Sequence, residues 1–479
     1  LWGHFVRSLP EIGGILGYSL ATYLVLAATA GMSCFYLMRF GLQPLLAAGV
    51  VFVAFFLPFI APQFTINSGL AALTAMLALA SYVRDRRFTD LLVFMGFSFI
   101  AFIIRWNEFL LICLVAAPLL ASVALLKDKQ FWLAALVLGG ALLLAQVANQ
   151  QAYKAPEWQR FNDLQSIRVQ LTDYGLAEKL RGTPEAKAAG LSDNDLDLVS
   201  EWFFADADLM SAVQSVELKL SGAEATQAWQ LDQDGLSKGR KSLTGPLREG
   251  PAVWLTLLMF CMLALFPSRR MVTAIVIFLA VLFYFGYIGR VVPLRVYYPV
   301  LALLLFFVLL FGLGKATDRL RRTLVGLAVV GLGAYGVYNT LAIQFEADRL
   351  GRMLKVDFGN LSGGPLVTWV NRFRYEFVYS PLERTAHRQD VALYALGSSI
   401  YAPTSKAYKF ESMPGGGFID RFLSPAGIDF VGIYGNEVKG RNASMEIYCA
   451  ERHGGTLVTR PVSRMRALSV INVTCQKPS

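Results

Sequence analysis

VYYPVLALLLFFVLLFGLG, residues Val296–Gly314, runs for 19 residues without one charged side chain. About 20 apolar residues in helical form span the hydrocarbon core of a bilayer, so this stretch reads as a transmembrane helix. Similar runs occur at Ile12–Met38, Leu42–Ala61, Phe64–Tyr82, Phe131–Asn149, Pro251–Pro267, Met271–Ile288 and Thr323–Ile343. A further apolar stretch, Asp90–Leu126, is interrupted by Arg105-Trp106-Asn107-Glu108. One continuous helix there would bury charge in lipid at a cost of several kcal/mol per group, so it is read as two short spans. The expectation is an α-helical polytopic membrane protein with about ten spans.

The composition agrees. Of 479 residues, 55% are hydrophobic and 16% charged, with a mean hydropathy of +0.48; soluble domains carry about 25% charged residues. Disordered, collagen-like and coiled-coil classes are excluded, and nothing points to nucleic acid. Three scattered histidines (His4, His387, His453), with no paired Cys spacing, give no zinc motif. Gly312-Leu313-Gly314-Lys315 lacks the earlier glycine of a phosphate-binding loop, because Leu309 stands there.

Orientation follows from the cations in the short loops. Alternate loops hold Arg39, Arg84, Arg86, Arg87, Lys127, Lys129, Arg269, Arg270, Lys315, Arg319, Arg321 and Arg322 against Asp85, Asp90, Asp128 and Asp318. That set is expected in the cytoplasm, which leaves the larger polar segments on the outer face of a bacterial inner membrane. The expected domains are therefore membrane helices over 1–149, an external helical insertion over 150–250, membrane helices over 251–343 and a small external α/β domain over 344–479. Since the chain opens with Leu1 in a segment expected outside, and these first residues carry no basic n-region or cleavable signal pattern, a further span and part of an external loop are expected upstream. The alternative is an N-out chain that has lost its initiating residue.

The insertion carries eleven cations and sixteen acids, so basic adsorption to lipid is not its role. Trp158, Phe161, Leu164, Ile167 and Leu171 mark one apolar helical face, with Arg160 and Arg168 eight positions apart on a neighbouring face, where both guanidinium groups are expected to point at one target. Ser192 and Asp195 read as a capping box that opens a helix through Trp202 to about Ala212, and Ser221–Gly250 reads as loop. In the tail, Val391–Leu396, Ala407–Glu411, Asp429–Tyr434, Met445–Cys449 and Ala467–Cys475 read as strands. Cys449 and Cys475 fall outside the membrane, where a disulfide is permitted; Cys34, Cys113 and Cys261 sit in spans.

Chemistry is sought where charge meets apolar sequence. Arg105 and Glu108 are three apart, close enough to pair on a helix, with Asn107 between them. In Gly289-Arg290-Val291-Val292-Pro293-Leu294-Arg295-Val296-Tyr297, two arginines flank a proline and suit bidentate phosphate binding. Snorkelling to lipid headgroups is the equal alternative. The acids expected outside are Glu11, Glu108, Asp163, Asp173 and the group Asp193, Asp195, Asp197, and none stands out as a general base.

Pro62-Gln63-Phe64-Thr65, Ile104-Arg105-Trp106-Asn107-Glu108-Phe109, Arg168 with Thr172-Asp173-Tyr174, Leu191-Ser192-Asp193-Asn194-Asp195 followed by Trp202, and Gly415-Gly416-Gly417-Phe418 with Ser424-Pro425 together resemble a family of polytopic proteins from bacterial surface-polysaccharide clusters. That family looks like the GT-C class of glycosyltransferases. The resemblance implies a membrane enzyme that moves a sugar from a polyprenyl-phosphate donor to a glycan, lipid-carrier or protein acceptor at the outer, periplasmic face. It implies acidic catalytic residues in a first external loop, of which this sequence carries only the part from near Leu1-Trp2-Gly3-His4 onward. Arg105, Asn107, Arg160, Arg168, Tyr174, Arg290, Arg295 and Tyr297 are then expected to contact substrate, with Glu108 and Asp173 as the visible acids; no cofactor is assigned and a divalent cation is permitted. The alternatives are a polymerase or ligase of lipid-linked oligosaccharides, which would make long products, and a transporter of lipid-linked sugar, which would show internal repeats.

Overall fold

The computed structural model describes residues 1–224, 233–248, 250–290, 292–313, 319–361, 365–369, 378–388, 391–433 and 438–477. Val291, Lys315, Asp318 and Tyr434 lie outside them, as do positions 225–232 of the expected Ser221–Gly250 loop. The protein is mostly helical with one small sheet. Two compact units are formed, Leu1–Ala152 with Gln233–Phe345, and Tyr153–Asp232 with Glu346–Ser479.

In the first unit and the start of the helix that leaves it, seven helices among the described residues are long and apolar enough to cross a membrane. They are Gly17–Arg39, Phe64–Asp85, Phe88–Leu120, Lys129–Ala152, Arg269–Tyr287, Leu294–Gly312 and Thr323–Gly359. This is the build of a multi-pass membrane protein, with fewer full-length spans than the ten expected. Three differences account for the number. Pro44–Ile60 is apolar but has 17 residues. The Pro251–Pro267 run belongs to a pair, Gly235–Leu247 and Ala252–Leu265, bent by 86°. The Asp90–Leu126 stretch forms one helical element, Phe88–Leu120, with a break inside it at Arg105.

The packing is set by small residues. Phe64–Asp85 is central and nearly all buried, and Gln63 starts it: its side-chain Oε1 accepts from the Thr65 and Ile66 amides at 2.8 and 3.1 Å, satisfying donors that a helix start leaves open. Gly69 lets this helix press on Leu294–Leu313, since a Cβ there would stand 2.4 Å from Cβ of Pro299. On the outside, Leu136 and Leu144 of Lys129–Ala152 are more than 70% exposed, a surface that lipid accommodates and water does not. Gln233–Leu243, expected as loop, is a helix. It packs on Arg269–Tyr287, where a Cβ on Gly286 would meet Cβ of Ser242 at 2.4 Å; small residues allow such close backbone approach.

The second unit has a five-stranded sheet in the order β2-β1-β3-β5-β4, with β1 Leu366–Thr368, β2 Leu393–Ala395, β3 Ile428–Ile433, β4 Thr456–Arg464 and β5 Leu468–Gln476. β1 pairs in parallel with β2 and β3, whereas β5 is antiparallel to β3 and β4. Alternate residues face opposite ways along a strand, and both faces are covered. Val367, Ile428 and Val473 pack with Phe203, Phe204 and Tyr448. Leu366, Val431 and Leu468 pack with Leu354 and Phe358 at the end of the Arg319–Gly359 helix. Asp357, also there, accepts the amides of Ala467 and Leu468 at 2.6 and 2.9 Å and so fixes the start of β5.

Several local expectations are corrected here. Ala407–Glu411 and Met445–Cys449, read as strands, lie in the helices Lys406–Glu411 and Val438–His453. Among the described residues of the second, Met445, Tyr448 and Cys449 are buried, a helical spacing. The capping box is present, with Ser192 Oγ accepting from the Asp195 amide at 3.1 Å and Asp195 Oδ2 from the Ser192 amide at 3.0 Å. Its helix ends at Ser200 instead of running through Trp202, and a new helix, Ala207–Glu224, is capped by Asp206. Asp195 is also clasped by Arg452, Nη2 to Oδ2 at 2.6 Å. Cys449 and Cys475 form a disulfide that ties the Val438–His453 helix to β5.

Candidate functional site

The break in Phe88–Leu120 creates the most unusual polar arrangement among the apolar helices. Arg105 adopts an extended backbone, φ −160° and ψ 99°, which interrupts the i to i−4 ladder and opens carbonyls of the preceding turn. Ser68, from the neighbouring Phe64–Asp85 helix, answers with its hydroxyl at 2.8 Å from the Ala101 carbonyl and 3.0 Å from that of Arg105. The Arg105 side chain turns toward the start of the same helix, where Nη1 donates to Thr65 Oγ1 at 3.2 Å and the guanidinium lies 5.4 Å from the Phe64 ring centre. Its Nε sits 3.4 Å from Oε1 of Glu108, too poorly aimed for a hydrogen bond, and is buried with no other partner among the described residues. Glu108 itself is only 4% exposed.

A buried ionic pair of this kind costs several kcal/mol in desolvation per ion unless its remaining valences are met. Here Thr65 meets one of them, whereas Arg105 Nε has no hydrogen-bond partner among the described residues. Groups held so inside a span usually serve a substrate or ion path.

Arg105, Asn107 and Glu108 open into a cavity of about 700 Å³, together with Arg290 and an apolar wall that includes Leu110, Leu114, Ile277, Val281 and Tyr284. The charges of Arg105, Arg295 and Arg290 all act on the Glu108 carboxylate. Arg295 is not among the wall residues, and neither is Tyr297. That tyrosine is buried, with its hydroxyl 3.5 Å from the Gly245 carbonyl, so the expected substrate contact is a packing residue with respect to this cavity.

The cavity lies at one end of the helices. Phe64–Asp85 has 22 residues, roughly 33 Å at 1.5 Å per residue. Its first residues meet Arg105, and its last, Asp85, pairs with Arg39 at 2.8 Å. Arg39 also holds Asp90 at 2.7 Å, and Arg86 pairs with Asp128. Three of the loop cations used for orientation, Arg39, Arg84 and Arg86, are thus ion-paired at the end of this helix opposite Arg105.

The remaining candidates belong to the second unit. The helix Pro156–Arg168 passes into a wider turn, Val169–Asp173, which brings Arg168 Nη1 to 3.2 Å from Asp173 Oδ1. Arg168 also bonds Gln165 at 2.8 Å and stacks 4.7 Å from the Trp202 ring centre, while Thr172 donates to Asp173 at 3.1 Å. Asp173 is therefore engaged with its own helix end, next to Tyr174. Arg160 points elsewhere, 5.6 Å from the ring centre of Tyr401. Arg160 and Arg168 do not share one target.

Sequence reasoning missed Ser68 and the contact that Thr65, read only as part of a motif, makes with Arg105; both partners are more than thirty residues away, and Tyr284 in the wall was missed as well. Among the described residues no group of three His, Cys, Asp or Glu side chains is placed to hold a metal ion. Comparison with family models, curated proteins and solved structures gives no match for this chain.

Proposed function

We propose that this chain is a membrane glycosyltransferase that takes a sugar from a polyprenyl-phosphate donor and passes it to a cell-envelope acceptor. The observation that carries this reading is the cavity at the Arg105 break, which joins an apolar wall to arginines around a buried carboxylate. A prenyl chain asks for the apolar wall, and its phosphate for guanidinium groups. As the sugar leaves, charge grows on the phosphate oxygens. Cations fixed in advance in a dry site stabilise that charge, an effect typically worth 10²–10³-fold in rate per donor removed. Glu108 is the carboxylate in reach to receive the proton of an acceptor hydroxyl. The cationic cluster at the opposite end of the helices fits a cytoplasmic side, which would turn the cavity to the outer face.

A second reading, a carrier of lipid-linked sugar, is favoured by the broken Phe88–Leu120 helix and the 86° bend after Gly235–Leu247, since transporters build sites from interrupted helices. One experiment separates them. Full-length protein in nanodiscs is given a radiolabelled polyprenyl-phosphate sugar with membrane glycan as acceptor. Transfer of label to the acceptor, lost at least 100-fold in the Arg290→Ala/Arg295→Ala double variant, is the expected result. A donor that stays intact while crossing between leaflets of proteoliposomes would replace the enzyme with the carrier.

A further inference from the structure

The second unit contains a pocket that the transfer reading does not use. It encloses about 450 Å³, and among its lining residues are Arg160, Glu157, Tyr401, Tyr408, Glu411 and Ser412. That volume falls within the roughly 300–1,000 Å³ common for small-ligand sites.

Each wall is fixed by local structure. Ser405 caps the helix Lys406–Glu411 by accepting from the Tyr408 amide at 2.9 Å. Tyr408, Glu411 and Ser412 stand at i, i+3 and i+4 and so share one side of the chain there. Glu411 is anchored, its Oε1 accepting from the Phe418 amide at 3.1 Å and from the Tyr394 hydroxyl, and burial pushes its carboxyl above the usual range. Tyr401 donates to the Phe204 carbonyl at 2.9 Å. Burial pushes its phenol up to about 12, so the ring stays neutral. Arg160 lies against that ring at 5.6 Å.

We propose that this pocket binds a saccharide, with the Tyr401 and Tyr408 rings against the C–H face of a pyranose and Arg160, Glu411 and Ser412 bonded to its hydroxyls. A pyranose has one apolar face and a rim of groups that both donate and accept, and the pocket offers aromatic surface beside a donor, an acceptor and a hydroxyl. Two carboxylates, Glu157 and Glu411, against one cation disfavour a phosphate or nucleotide. The proposal stands on the second unit alone and does not require that the first unit transfers sugar.

The test is saturation-transfer NMR on the full chain in nanodiscs, with the methyl pyranosides of glucose, galactose, mannose, N-acetylglucosamine and glucuronic acid as probes and glycerol as control. Ring C–H protons of at least one pyranoside should saturate above glycerol. Its affinity should fall at least tenfold in Tyr408→Ala and in Glu411→Gln, while Tyr408→Phe and the Arg290→Ala/Arg295→Ala variant keep it. No pyranoside above the glycerol level overturns the proposal. A signal that survives Tyr408→Ala but disappears in the arginine double variant also overturns it, and moves sugar binding to the cavity of the first unit. Loss of sugar transfer with these binding results unchanged bears only on the transferase reading.

Discussion

Gly69 offers a direct test of the packing that holds the cavity's elements in place. An alanine methyl there would lie 2.4 Å from Cβ and 2.6 Å from Cγ of Pro299. Carbon atoms in contact sit at about 3.5–4.0 Å, and a proline ring has no rotamer in which to withdraw. The two helices must therefore separate by about 1 Å. Overpacking of this kind costs about 1–3 kcal/mol, and the rigid partner argues for the upper half. Against it stands the gain from replacing a helical glycine by alanine, about 1 kcal/mol. The net expectation for Gly69→Ala is a loss of about 1–2 kcal/mol. Around Gly96, in Phe88–Leu120, no neighbour among the described residues comes within 4 Å of where a Cβ would stand, so Gly96→Ala receives only the gain. Thermal unfolding of both variants in nanodiscs, scanned under the same conditions, should place Gly69→Ala below wild type and Gly96→Ala at or above it. At about 2–4 °C per kcal/mol for a domain of 150–250 residues, the two should melt several degrees apart. A Gly69→Ala protein that melts with Gly96→Ala would refute the close approach of Phe64–Asp85 to Leu294–Leu313.

In the second unit, Asp195→Ala removes the half of the capping box that its carboxylate makes with the Ser192 amide, worth about 1 kcal/mol, and the partner of Arg452. A fully buried pair costs 3–5 kcal/mol to break, but Arg452 retains 21% side-chain exposure and the Gly190 carbonyl at 3.1 Å, so a total of about 3 kcal/mol is expected. Limited proteolysis of the Tyr153–Asp232 segment should accelerate accordingly, and an unchanged rate would count against the clasp. Glu411 sets a pH dependence whose sign is fixed by burial. Its folded pKa is raised above the ordinary 4.5, so the folded state binds more protons, and stability should fall as pH rises from about 4.5 through the raised value. Glu411→Gln should flatten that part of a melting-temperature profile, and a profile parallel to wild type would remove Glu411 as the cause.

How much of this was legible in the sequence depended on the distance over which each feature is encoded. Apolar runs and the Ser192/Asp195 cap are local, and they appear as helices and as a capping box. The Arg105/Glu108 pair is local too, and the structure places both in one cavity. Met445, Tyr448 and Cys449 carried a helical period that a five-residue window hides, so a helix was read as a strand. Lys406–Glu411 was misread for a related reason: Tyr408 and Phe410 favour strands, but Ser405 caps the turn in which they sit. β1 has three residues, below the length at which alternation can be seen. β4 is an edge strand with Pro461 at a bulge, as edges tolerate, and its residues are largely exposed. The contacts of Thr65 and Ser68 with Arg105, and the assembly of Arg160, Tyr401 and Glu411 around one pocket, join segments 37 to 251 positions apart in the chain. No local pattern encodes them.

The clasp of Asp195 by Arg452 joins residues 257 positions apart, and the chain between them supplies the membrane helices from Arg269 to the Thr323–Gly359 span. During synthesis at about 5–20 residues per second, the first half of the second unit therefore waits about 10–50 s for its strands. Over that interval Phe203, Phe204, Leu209 and Val213 have no sheet to cover them. A growing chain with this order needs either a holding factor or a sequence slow to aggregate, and the five-acid excess of the 150–250 segment is a solubilising charge suited to the second.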